Sequence, residues 1–146
     1  REDARRLNSQ PQHAIHLAME CNHMKQKLLI VDDSSVIRNH ISRLMIDPKL
    51  SNLTIVGVDS DGEKALVAAK AFRPDVITMD LTMPNMDGEA CIEQISQFLP
   101  DARILVISAL SDKATAIRAL TKGAHGFLQK PFSDESLVES LVEILS

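Results

Sequence analysis

Val76-Ile-Thr-Met-Asp80-Leu-Thr-Met-Pro84-Asn-Met-Asp87-Gly88 is the stretch whose reading decides the fold. Val76 to Met79 form a short, mostly apolar run that ends at the carboxylate of Asp80. Behind it, Pro84, Asn85, Asp87 and Gly88 gather turn-forming residues. The pattern predicts a buried strand, an acid at its end and a tight loop. In an open parallel α/β sheet, ligands bind at the carboxyl ends of the strands, so Asp80 falls where chemistry is expected. A second acidic point, Asp32-Asp33, ends the apolar run Leu28 to Val31. The two points are expected to meet.

The same alternation runs outward in both directions. Lys27 to Val31 reads as a buried strand. Ser34 or Ser35 caps a helix whose apolar positions are Ile37, Ile41, Leu44 and Met45, the 3.6-residue stripe, and Asp47-Pro48 stops it. Thr54 to Val58 is a second strand. Asp61 caps a helix with Ala65, Leu66, Ala69 and Phe72 on one face, ended by Pro74. After the third strand, Gly88 opens a helix with Cys91, Ile95, Phe98 and Leu99 inward, closed by Pro100. Ile104 to Ile107 is a fourth strand. Ser111 or Asp112 caps a helix expected to turn Ala114, Ile117 and Leu120 inward, closed near Gly123. Gly126-Phe127-Leu128 is a short fifth strand. Pro131 breaks the chain, and Ser133 with Asp134 and Glu135 starts the last helix, whose acids suit the helix dipole. Its inner stripe is Leu137, Val138, Leu141, Val142 and Leu145. Continuous apolar strands imply a parallel sheet covered on both faces, and right-handed crossovers put helices on both sides. The expectation is one α/β domain over residues 25–146, with residues 1–24 as an N-terminal extension or linker, in part helical.

Composition narrows the function classes. A chain of 146 residues has the length of one domain with a short appendage. No apolar run approaches the ~18 residues of a membrane span, and the charged first residues lack the apolar core of a cleavable signal peptide. The net charge of −4, without a block of Lys or Arg, argues against nucleic acid as a direct partner. Without Trp or Tyr there is no stacking platform for bases. Cys21 and Cys91 fit reduced thiols in a cytoplasmic protein better than a disulfide framework. In the extension, Ala14, Ile15, Ala18 and Met19 suggest a short amphipathic helix. The nearby His13, His16, Cys21 and His23 match none of the usual two-pair zinc spacings, so they read as a polar appendage. The chain begins with Arg1; either it is cut from something longer or Met24 is a start.

Three carboxylates, Asp32, Asp33 and Asp80, end two strands. If those strands are neighbours, like charges within a few ångströms raise one another's pKa. A divalent cation removes the conflict, and clustered hard oxygens with few protein ligands suit Mg²⁺, with Mn²⁺ an alternative. Taken alone, Asp-Asp at a strand end reads as readily as helix capping. Ser108 ends the fourth strand and Lys130 the fifth, so four of the five strands present polar groups at one edge.

The order and spacing of these groups resemble the CheY-like receiver domain of response regulators in two-component signal transduction. The resemblance spans about Lys25 to Leu145. It is carried by Val31-Asp-Asp33, Met79-Asp-Leu-Thr-Met-Pro-Asn-Met-Asp-Gly88, Ile107-Ser-Ala109 and Gly126-Phe-Leu-Gln-Lys-Pro-Phe132. It implies a flavodoxin-like fold of five strand–helix units with sheet order 2-1-3-4-5. It implies that Asp80 is the phosphoacceptor, that Asp33 ligates Mg²⁺ directly and that Asp32 acts through metal-bound water. The Thr82 carbonyl would complete the protein's share of that shell, and Lys130 would pair with a phosphoryl oxygen. Ser108 would donate to another, and Phe127 would follow Ser108 inward as the switch. The Lys130-Pro131 bond would be cis. The implied partners are a sensor histidine kinase or phosphotransfer protein and a downstream protein effector on the face of helix four, strand five and helix five, with a homodimer also compatible. Such a chain is a signalling phosphoacceptor that assists its own phosphorylation rather than an enzyme. Departures from the family pattern are Ser108 where Thr is commoner, Phe127 where Tyr is common, and Thr82 where other polar side chains are frequent.

Rival readings fail on particular residues. Gly57-Val-Asp-Ser-Asp-Gly62-Glu-Lys64 nearly spells a nucleotide-binding loop, but Glu63 stands where Lys is needed and Lys64 where Ser or Thr is needed. An aspartyl phosphatase would carry a second Asp two positions beyond Asp80, where Thr82 stands. A phosphate-independent interaction module on a receiver scaffold would normally have lost an acid or the lysine, and all are present. Met83 and Met86 read as packing groups around Pro84 rather than a soft-metal site.

Overall fold

The computed structural model describes residues 25–110 and 112–146. His13, His16, Cys21 and His23 therefore lie outside the described residues, as does the alternative cap Ser111. The elements are β1 (Gln26–Val31), α1 (Ser35–Leu44), a 3₁₀ turn (Pro48–Leu50), β2 (Leu53–Asp59), α2 (Gly62–Phe72), β3 (Val76–Met79), α3 (Gly88–Phe98), β4 (Arg103–Ser108), α4 (Lys113–Lys122), β5 (Gly126–Gln129) and α5 (Asp134–Leu145). The five strands form one parallel sheet in the order β2-β1-β3-β4-β5. This is the flavodoxin-like arrangement.

Side chains alternate across a strand, and that alternation divides the core in two. Leu29, Val31, Ile77, Met79, Ile104 and Val106 point to one face, where α2, α3 and α4 cover them with Ala65, Ala69, Ile92, Ile95 and Ala119. Leu28, Ile30, Val76, Leu105 and Ile107 point to the other, where α1 and α5 supply Ile41, Leu137, Val138 and Leu141. Both faces being covered explains the unbroken apolar runs of the central strands. The edge strand β2 is only half-buried.

Each helix starts on a side-chain cap, because its first N–H groups have no partner within the helix. Ser34, not Ser35, caps α1 by accepting from the Ile37 N–H. Asp61 accepts from Lys64, Asp87 from Ala90 and Asp112 from Thr115. Ser133 and Ser136 cap α5 reciprocally.

Helix α4 departs from expectation. Ala114, Ile117 and Leu120 face solvent, with Ile117 52% exposed and Leu120 47%, and the buried face is Thr115 and Ala119. Small residues face α3, against which α4 packs, so burial follows size here rather than hydrophobicity. Phe72 and Val142 are likewise exposed, at 47% and 38%, and Ile144 takes the buried position near the end of α5.

The exposed stripe of α4 and the buried core, represented by Ile92 of α3, separate in stability. Ile92→Ala should cost about 2–5 kcal/mol, as large-to-small core changes do. Ile117→Ala and Leu120→Ala should each change stability by about 0.5 kcal/mol or less. Urea unfolding measures all three, and a comparable loss at Ile117 would return that stripe to the core.

Candidate functional site

The strand pairing builds the site. Val31 of β1 lies beside Met79 of β3, so the residues that follow them, Asp32 and Asp80, are brought together. The Asp80 N–H donates to the Val31 carbonyl at 3.0 Å, which extends the ladder one residue to the acid itself. Carboxylate oxygens of Asp32, Asp33 and Asp80 all lie within 4.8 Å of one another. Asp32 and Asp80 are buried, at 1% and 4% exposure, whereas Asp33 faces solvent.

Among the described residues, one cation answers them. Lys130 follows β5, and its Nζ lies 2.8 Å from Asp32 Oδ2 and 3.7 Å from Asp80 Oδ2. The contact with Asp32 is an ion pair without hydrogen-bond geometry, so Asp32 Oδ2 keeps an unused lone pair in the interior. The Lys130 N–H donates to the Ser108 carbonyl at 2.8 Å, which fixes the ammonium's stem to the end of β4. The Lys130-Pro131 bond is cis.

Backbone donors hold the acids. The Ser34 N–H donates to Asp32 Oδ1 at 2.9 Å and the Thr82 N–H to Asp80 Oδ1 at 3.3 Å. The Asp80 carboxyl is raised from 3.8 to about 6, mainly because burial disfavours the charge and then because Asp32 repels it; Lys130 and the Thr82 N–H pull in the opposite direction, and Asp33 adds to the rise. At neutral pH it is ionised but strained by its surroundings.

Local chain geometry keeps the acid's loop closed. A Cβ on Gly88 would sit 2.2 Å from the Asp80 carbonyl oxygen, so only glycine lets α3 begin this close to the acid. Asn85 adopts a φ of 71°, which Asn tolerates, and its amide donates to Asp61 Oδ2 at 3.2 Å. That bond ties the loop after Asp80 to the cap of α2.

Asp32, Asp33, Asp80 and Lys130 thus converge. Ser108 is fully buried at the same edge, and its Oγ accepts from the Leu110 N–H at 3.1 Å. Thr82 is exposed just beyond Asp80. Phe127, beside Val106 in β5, is half-buried against the α2–α4 side of the core. Two contacts were not read from the sequence. Arg38 Nη1 donates to the Asp32 carbonyl at 2.7 Å from six residues along the chain, and nothing in the sequence marks it out from other surface arginines. The Ser108–Leu110 bond is local and follows from a hydroxyl two residues before a free N–H.

Fold and site together define an α/β protein with a buried, lysine-capped acidic pocket at the carboxyl edge of a flavodoxin-like sheet. The chain belongs to the response regulator receiver domain family, whose model matches residues 28–142. It is 34% identical over 121 residues to the chemotaxis protein CheY of Thermotoga maritima, covering 83% of this chain and 98% of that protein. It is 32% identical to the CheY of Bacillus subtilis, covering 84% and 100%. Among solved structures, a chain of the CheX-CheY-BeF3-Mg complex from Borrelia burgdorferi superposes with a TM-score of 0.77 at 30% identity, covering 83% of this chain and 90% of that one. The receiver domain of NarL from Mycobacterium tuberculosis gives 0.74 at 31%, covering 82% and 94%. Members of this family serve phosphorylation-dependent signalling. Among the described residues, no helix is long and apolar enough to cross a membrane.

The raised carboxyl makes a signed prediction. Asp80 binds its proton more tightly in the folded chain, at about 6, than in the unfolded one, at 3.8. The stability linked to that proton is full below 3.8 and lost as pH rises through about 6. Asp80→Asn removes the buried charge and should raise Tm by about 4 °C at neutral pH, with the gain fading at acid pH. Calorimetry at both pH values checks this. A less stable Asn variant at neutral pH would mean that the attraction of Lys130 outweighs burial.

Proposed function

We propose that residues 25–146 form a receiver that works as a phosphorylation-controlled switch, with Asp80 as the phosphoacceptor and a sensor histidine kinase or phosphotransfer protein as donor. The observation that carries this reading is the Asp80 carboxylate, buried, raised to about 6, and set between two further acids and the Lys130 ammonium. A solely structural acid in such a place gains nothing from its charge.

An Asp80 oxygen forms the new P–O bond as the P–N bond to the donor imidazole breaks. The imidazole leaves with the bonding pair and takes up a proton. Phosphoryl transfer asks a protein mainly for positioning and for charges placed where negative charge spreads. Lys130, held by its backbone bond to β4, sits within reach of an oxygen on Asp80. Ser108 supports a second contact, because its O–H proton is uncommitted among the described residues. Asp33 and Asp80, with the Thr82 carbonyl, would hold Mg²⁺ or Mn²⁺, and Asp32 would act through metal-bound water. The clustered oxygens and the unused Asp32 lone pair fit a hard cation. Bound there, the ion would neutralise charge on the phosphoryl oxygens. Hydrolysis of the acyl phosphate past Thr82 resets the switch, so the chain is a phosphoacceptor rather than an enzyme with an outside substrate.

Output runs through Ser108. A phosphoryl group brings about −1.5 to −2 charges, by analogy with other phosphorylated side chains. Donation to it draws the Ser108 hydroxyl inward and frees the Leu110 N–H, loosening the start of α4. Phe127 then turns in, reshaping the face of α4, β5 and α5, where Leu110, Ile117 and Leu120 stand exposed. A protein effector would read that face in the cytoplasm, with no direct nucleic-acid contact from this chain.

Incubation with acetyl phosphate and a magnesium salt should add one phosphoryl mass that is labile to base and lost in Asp80→Asn. Mass gain on a serine, or none, would sink the phosphoacceptor reading and favour an interaction module that needs no phosphate. Ser108→Ala should still take up phosphate, yet leave the NMR shifts of α4 and Phe127 short of their phosphorylated positions. Full parental shifts in that variant would break the coupling.

A further inference from the structure

Helix α5 carries a feature that the switch does not use. Glu135, Glu139 and Glu143 follow at four-residue spacing, so they form one exposed row, each about 6 Å along the axis from the next. No basic side chain pairs with any of them among the described residues. Like charges at this spacing weaken a helix. Glu143 also stands in the last turn, where the dipole favours cations; the helix supplies none of its own, and Arg103 of β4 meets that end by donating to the Ile144 carbonyl. Three like charges in a row, none of them paired within the described residues, point to a function outside the helix.

A groove runs beside the row, between α5 and the turn that follows α1, on the opposite face of the sheet from α4. It consists of two adjoining cavities of about 380 and 400 Å³ that share Lys49 and Glu139. Leu44, Val138 and Val142 give it an apolar floor, and Asp47 adds an acid on the far wall. Lys49 is the one cation in the lining. Ile46, next to Asp47 in sequence, is 90% exposed.

We propose that this groove docks a cationic amphipathic helix of a partner protein. Lys or Arg at four-residue spacing would face Glu135, Glu139 and Glu143, with apolar residues laid over Leu44 and Val142, the helix-in-groove mode of recognition. Charge selects the occupant. A second copy would bring a net charge of −4 against an acidic wall. Residues 1–24 balance Arg1, Arg5 and Arg6 against Glu2, Asp3 and Glu20, and so offer no excess of positive charge. A foreign cationic segment is the complement that remains.

The test is an NMR titration of the full ¹⁵N-labelled chain at low salt. The probe is a synthetic amphipathic helix of Lys and Leu, with a Glu and Leu peptide of the same pattern as control. Amides of residues 44–51 and 135–143 should shift with the Lys peptide and not with the Glu peptide. The double variant Glu139→Gln/Glu143→Gln should bind at least about tenfold more weakly, with an unchanged or higher melting temperature. Lys49→Glu should bind more tightly. Shifts centred on Asp32, Asp33 and Asp80, or equal affinity in the double variant, would overturn the proposal. So would movement of the same amides with chain concentration alone, accompanied by slower diffusion, which would assign the groove to a second copy.

Discussion

Two carboxylates, Asp32 and Asp80, are buried side by side with one ammonium between them, and much of the architecture exists to make that tolerable. Burying a charge is costly unless it is paired. Lys130 meets both acids but cannot fully neutralise them, and Asp80 remains raised to about 6. The residual strain supports the proposed role of the pocket, in which a cation and a phosphoryl group are taken up there. It also requires three strands from distant parts of the chain to end in register.

The sheet order meets that requirement. β1 and β3 pair directly, placing Asp32 beside Asp80, and β4 and β5 carry Ser108 and Lys130 to the same edge. The loops then lock the acids in place. Gly88 lets α3 start against the Asp80 carbonyl, and Arg38 clamps the Asp32 carbonyl from α1. The hydrogen bond from Leu110 to Ser108 connects this rigid edge to the exposed apolar face of α4. In the proposed switch, a change at the acid would reach the surface by this short covalent and hydrogen-bonded route.

Much of this was legible in the sequence because it is written in short-range patterns. The continuous apolar runs of β1 and β4, the mostly apolar run of β3, the Pro and Gly stops and the acids at strand ends give the alternation and the candidate residues. The order of the strands came from resemblance to a family, since periodicity does not state which strands are neighbours. The facing of α4 was misread because Thr115 and Ala119 are too small to register as a core stripe, while Ile117 and Leu120 do so from the solvent side. The contact of Arg38 with Asp32 was invisible, since a charged residue on a helix gives no sign of which carbonyl it will reach.

The central claim is that Asp32, Asp33 and Asp80 act as one charge-strained site relieved by a divalent cation. Calorimetric titration with Mg²⁺ tests it most directly. Binding should be one to one near neutral pH and should weaken by about tenfold per pH unit once the pH falls below the raised Asp80 value of about 6, because the cation then competes with a proton. Asp33→Asn should weaken it at every pH. Affinity that ignores both the proton and the loss of Asp33 would contradict the account.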